Sequence, residues 1–250
     1  SLRLSSGTPG LYGTDITAVI DNALVQRIED ISEYDTKIEL GDGDTILYQD
    51  DFSDPIKYAM AVGDFTSLRT KFIVENGKLT FGVDVPSTAL TLFYGINGHK
   101  DLNDCIVSAD VNHSGTGFVS ISAYNSPVLN SEGRVENTSG YEFGILNGQF
   151  RLYRRTETPK AWGGNASAAV DNFFGNYRNG TDIRLIMYVT SQNGYTSIIC
   201  EAVYEGITER IFEITDDSDQ RITSGTPGLY GTDVDFSMDN LLIEKIEDIS

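Results

Sequence analysis

Along the stretch QFRLYRR, Arg151, Tyr153 and Arg155 alternate with Phe150, Leu152 and Arg154. Successive side chains of a strand point to opposite faces. One face therefore carries two guanidinium groups on either side of a phenol, and it is the more polar and more exposed of the two. A flat ring and planar cations are what a sugar needs: the ring stacks on C–H groups and the guanidinium reaches hydroxyls. Further candidates lie nearby. Trp162, the single tryptophan, sits in TPKAWGG, and Tyr177 and Arg178 close FFGNYR. The Pro and Gly around Trp162 predict a loop, where an indole serves either as a binding platform or as a plug over the sheet edge. The span 134–184 holds 7 of the 18 bases against 5 acids, so it is locally basic inside a chain of net charge -19.

These residues need a scaffold, and the scaffold reads as strands. Period-two alternation between turn signals recurs along the chain, at the spacing of an antiparallel all-β protein. FIVENGKLTF is a hairpin around Asn76-Gly77; further Asn-Gly turns stand at 147–148 and 193–194. About a dozen strands result, which suits an antiparallel β-sandwich of the jelly-roll type. Only NASAAVDNFFGNY has the composition for a short helix.

The decapeptide SGTPGLYGTD occurs at 6–15 and again at 224–233, and the alignment of 3–32 with 221–250 has 19 identities in 30. A period of 218 residues is far longer than a solenoid repeat and fits one sandwich. Residues 1–32 are thus expected to be the last strands of a preceding tandem repeat, and 33–250 one complete module. The orphaned strands would pack outside the module or pair with a neighbouring chain, a route to self-association.

The charge, 37 acids against 18 bases, argues against nucleic acid and anionic membrane as partners. No apolar run reaches the roughly 20 residues of a membrane span. Cys105 and Cys200 each lie in an apolar run and read as buried thiols rather than a bridge. His99 and His113 have loop surroundings and no catalytic partner motif.

ILYQDDFSD, FIVENGKLTF, GYEFGILNGQFRLYRR and TSGTPGLYGTDVDFSMDNLLIEKI follow one another in an order that resembles the concanavalin A-like lectin/glucanase superfamily, and most of all its laminin-G-like and 3-keto-disaccharide-hydrolase-type sandwiches. The resemblance spans nearly all of 44–246. It departs after DDFSD, where IKYAM stands in place of a Trp. It implies a concanavalin A-like jelly roll and a glycan as partner. It also implies a structural calcium tying first strand to last, with Asp50, Asp51 and Asp239 at the matching positions. The alternative for Asp239 is an Asx contact to turn backbone. GDGD at 41–44 and DDSD at 216–219 are lesser acidic loops. Glucanases of this fold carry E-x-D-x-E or E-x-D-x-x-E, and neither occurs here. Glu201 and Glu205 share a strand face, but four residues of rise put them about 13 Å apart, beyond the 5–5.5 Å of a retaining pair. The expectation is a non-catalytic carbohydrate-binding or adhesive module of an extracellular, secreted or surface-attached protein. A spacer repeat and a glycoside-processing enzyme are the alternatives.

Overall fold

The computed structural model describes residues 46–54, 57–58, 61, 72–81, 88–93, 102–114, 116–129, 135–232 and 235–246. The expected boundary at residue 33, the segment 1–32 with its self-association, His99 and the 41–44 loop lie outside them. The described residues form fourteen strands: β1 (Ile46–Asp50), β2 (Phe72–Glu75), β3 (Lys78–Phe81), β4 (Thr88–Leu92), β5 (Asp104–Ser114), β6 (Phe118–Leu129), β7 (Val135–Leu146), β8 (Gln149–Arg155), β9 (Lys160–Gly163), β10 (Asp182–Gln192), β11 (Tyr195–Tyr204), β12 (Ile207–Asp216), β13 (Thr226–Thr232) and β14 (Asp235–Lys245). A 3-10 turn (Ala166–Ala168) and a one-turn helix, α1 (Val170–Phe173), stand where the sequence allowed a helix.

Two antiparallel sheets face each other. One runs β12-β11-β10-β5-β14-β3-β2, with β1 also paired to β14; the other runs β4-β13-β6-β7-β8-β9. First and last described strands are therefore neighbours, with Asp50 opposite Leu241. Sequential strands are joined by two-residue turns at Asn76-Gly77, Asn147-Gly148 and Glu205-Gly206, all six residues at positive φ. That is the type I′ geometry, which Asn-Gly adopts cheaply. Inward positions of both sheets supply one core, including Val107, Ile121, Phe143, Ile145, Phe150, Leu185 and Ile243. Cys105 and Cys200 belong to it as free buried thiols, and burial pushes the Cys105 thiol up to about 12.

One polar group crosses this core. Arg154 points inward from β8, and its Nη1 donates to both oxygens of Asp216 at the end of β12, each at 2.9 Å. Their side chains are 5% and 1% exposed. Tyr141 hydroxyl donates to Asp216 Oδ2 at 2.7 Å and accepts the Ile222 N–H at 3.1 Å; Ser218 Oγ donates to Oδ1 at 2.7 Å. Burial would raise the Asp216 pKa, but the hydrogen bonds from Ser218, Tyr141 and Arg154 outweigh it and hold the carboxyl below its ordinary range. Asp216 opens DDSD, so that acidic loop is a structural anchor and not a cation site.

The second copy of the repeat forms β13 and β14, in the middle of the two sheets. Its core positions Phe236, Met238, Leu241 and Ile243 are buried. In the first copy the equivalent residues are Ala18, Ile20, Ala23 and Val25, two of them much smaller.

Arg154→Met or Asp216→Asn alone lowers stability by about 3–5 kcal/mol in urea titrations, because each strands a buried partner, whereas Arg154→Met/Asp216→Leu costs less than either single change. The Asp216 contribution is complete above the ordinary carboxylate value and is lost as pH falls through its lower folded value, so the wild-type advantage over Asp216→Asn shrinks only in strong acid. Phe236→Ala and Leu241→Ala, the residues of the first copy, each cost about 3 kcal/mol through the cavity they leave.

Candidate functional site

The outward face of the six-stranded sheet collects the groups with binding chemistry. Register sets two neighbouring rows: Gly228, Ser122, Glu142 and Tyr153 in one, Tyr230, Ser120, Gly144 and Arg151 in the next. In the second row the central strands contribute small side chains and the flanking strands large ones. Gly144 is required in this floor, since a Cβ there would lie 1.9 Å from the Val119 carbonyl oxygen. Phe118 is buried but takes no part in the sandwich core. It lies instead on this outward face, with Tyr153 edge-on at 5.2 Å and Tyr230 at 6.0 Å.

Arg155 completes the cluster. Its guanidinium carbon lies 4.5 Å from the Tyr153 ring centroid and 6.0 Å from that of Tyr230. Its Nε donates to Glu142 Oε2 at 2.9 Å. Glu142 is 2% exposed; burial raises its pKa, against the pull of Arg155. The Arg155 side chain keeps 36% of its surface exposed. Ser120 Oγ, fully buried in the floor, has no hydrogen-bond partner among the described residues.

The six residues singled out for sugar contacts do not stand together. Arg151, Tyr153 and Arg155 share the outward face of β8, while Phe150, Leu152 and Arg154 are buried. The Arg151 guanidinium lies flat against Gly164 and donates to Gln149 Oε1 at 3.4 Å. Trp162 is not in a loop. It is on the edge strand β9 opposite Leu152, facing inward and half-buried against the core, with Lys160 Nζ over its ring at 4.7 Å. It is the plug rather than the platform. Tyr177 also packs on the core, edge-on to Tyr204 at 5.3 Å, and burial pushes its hydroxyl up to about 12. Arg178 is exposed in the turn after it. Tyr124 and Tyr141 are core residues. His113 is likewise no loop residue: it is buried in β5, with Nε2 3.0 Å from the Gly117 carbonyl oxygen and Nδ1 3.2 Å from Asn179 Oδ1.

The acids placed for calcium turn to other partners. Asp50 is fully buried and accepts the Tyr48 hydroxyl and, at 2.8 Å, the Phe52 N–H, so it holds Phe52 at φ +51. Asp51 accepts the Ser53 N–H and hydroxyl at 3.0 and 2.7 Å. Asp239 caps the Asn240 N–H at 2.7 Å inside the β14 bulge, and Asn240 Nδ2 donates to Asp110 Oδ2 at 2.7 Å, not to the GTPGLYG turn. Among the described residues no three acids, histidines or cysteines converge. These side chains do not fit a calcium shell, which takes six to eight oxygens.

No family model and no curated protein sequence matches the chain. Solved structures do. A galectin-like-fold protein of unknown function from Bacillus subtilis superposes with TM-score 0.52 at 10% identity, over 80% of this chain and 96% of that one. The fold is the concanavalin A-like sandwich. Other concanavalin A-like neighbours include a legume lectin-like domain from Entamoeba histolytica (TM-score 0.47, 13% identity, 72% and 89% of the two chains). The VIP36 exoplasmic/lumenal domain in its calcium- and mannose-bound form matches with TM-score 0.43 and 12% identity, over 73% and 84% of the chains.

Phe118, Glu142, Ser120 and Tyr230 were not singled out from sequence. Tyr230 sits in the repeated GLYGT, but its sharing of Phe118 and Arg155 with Tyr153 depends on the order β13-β6-β7-β8, which no local pattern encodes. The two faces of this sheet should separate in mutagenesis. Trp162→Ala lowers stability by about 2 kcal/mol in urea titration, whereas Tyr153→Ala costs less than about 1 kcal/mol. The reverse order would contradict the inward placement of Trp162.

Proposed function

We propose that this chain is a non-catalytic carbohydrate-binding module of a secreted or cell-surface protein, and that the glycan lies on the outward face of the six-stranded sheet. The observation that carries this reading is the Phe118-Tyr153-Tyr230 cluster with Arg155 laid across it. Tyr153 and Tyr230, half-buried outside the core and backed by the buried Phe118, give a sugar ring a surface to stack on. Arg155 supplies donors whose position Glu142 fixes. The carbohydrate-binding neighbours of the same fold agree with this reading, which rests on the face itself.

A hydrolytic role is less well supported. Glu136 and Glu142 are the only acids on the six strands of this sheet. They are six residues apart on β7, about 20 Å, well outside the 5–9.5 Å of glycosidase pairs. A spacer role would need no outward aromatic cluster at all. Among the described residues no helix is long and apolar enough to cross a membrane.

A glycan array tests the proposal. The wild-type chain is expected to retain specific glycans, and Tyr153→Ala and Tyr230→Ala to weaken retention at least about tenfold, the scale of one lost stacking contact. Retention of no glycan, or undiminished retention by both variants, would remove this face from consideration.

A further inference from the structure

The cluster has a charge as well as a shape. The six strands of its sheet carry Arg151, Arg154, Arg155 and Lys160 against Glu136 and Glu142, a positive balance in a chain of net charge -19. Arg154 is spent inside the core on Asp216. Arg155 is directed outward, and among the described residues its one hydrogen bond uses Nε alone. The two terminal nitrogens, the fork that binds carboxylates bidentately, remain available on the exposed part of the side chain.

Glu142 fixes the direction of that fork. A guanidinium bonded through Nε to a buried acid cannot rotate freely, so its terminal N–H groups are held in one orientation. The rings of Tyr153 and Tyr230 flank it. A ligand meeting the fork therefore has an aromatic surface beside it.

From this geometry we infer that the site selects acidic sugars: a uronate whose carboxylate pairs with the terminal nitrogens of Arg155 and whose ring packs on Tyr153 and Tyr230. The inference rests on the carbohydrate-binding reading above and narrows it to one chemical class. Glu142 is here a positioning residue and Arg155 the ligand contact.

The test separates the two levels. Titration calorimetry uses hexasaccharides of galacturonate, glucuronate, mannuronate and guluronate, each beside its carboxyl-reduced counterpart of the same linkage. At least one acidic oligomer is expected to bind about tenfold or more tightly than its reduced form, as one charge-assisted pair warrants. Arg155→Gln is expected to abolish that ratio, lowering affinity for the acidic oligomer far more than for the reduced one. Tyr230→Ala lowers affinity for both forms and leaves the ratio. Glu142→Gln keeps the fold, checked by circular dichroism, and reduces the ratio without abolishing it. Equal binding of acidic and reduced forms, or a ratio that survives Arg155→Gln, overturns the acidic-sugar inference but spares glycan binding. No binding to any of the eight oligomers overturns the inference, and with an empty glycan array it overturns the broader reading too.

Discussion

The interior ion pair of Arg154 and Asp216 is the contact on which the arrangement of this sandwich depends. Sheet-on-sheet packing by apolar side chains is tolerant of small slips, because one aliphatic contact is much like another. A guanidinium that must meet a particular carboxylate is not tolerant. It joins β8 of one sheet to the end of β12 in the other, and Tyr141 and Ser218 complete its hydrogen bonding. An unpaired charge there would cost several kcal/mol, so the pairing selects one relative placement of the two sheets at that end.

The same strand carries the outer cluster. Because side chains alternate, fixing Arg154 inward fixes Tyr153 and Arg155 outward, and a one-residue slip would exchange the faces. Core and site are thus two readings of a single strand. The glycines and serines of β6, β7 and β13 have a complementary role. They keep the outward surface flat under the aromatic side chains, where any Cβ at Gly144 would collide with the next strand.

Much of this was legible in the sequence where local chemistry decides structure. Asn76-Gly77 and Asn147-Gly148 read as turns because positive φ at two successive positions restricts the choice of residue, and the alternation of QFRLYRR assigned its faces. Signals failed where distant partners decide. Trp162 has Gly and Pro neighbours typical of a loop, yet a four-residue edge strand carries too little alternation to be recognised. NHSGTG has loop composition, yet His113 is held in β5 by Gly117 and Asn179. DDSD looked like a cation loop because Arg154 lies 62 residues away in sequence. Asp50, Asp51 and Asp239 were placed by resemblance; β1 and β14 do pair, but each carboxylate is committed to a nearby donor.

The duplicated segment presents the folding chain with a choice. Both copies spell the same TPGLYGT for the place between β4 and β6, so backbone pairing alone cannot tell one from the other. Discrimination is left to the strand that follows, through two bulky side chains where the competitor has only methyl groups. Phe236 and Leu241 are thus where a nearly repeated sequence acquires the bulk that this interior requires.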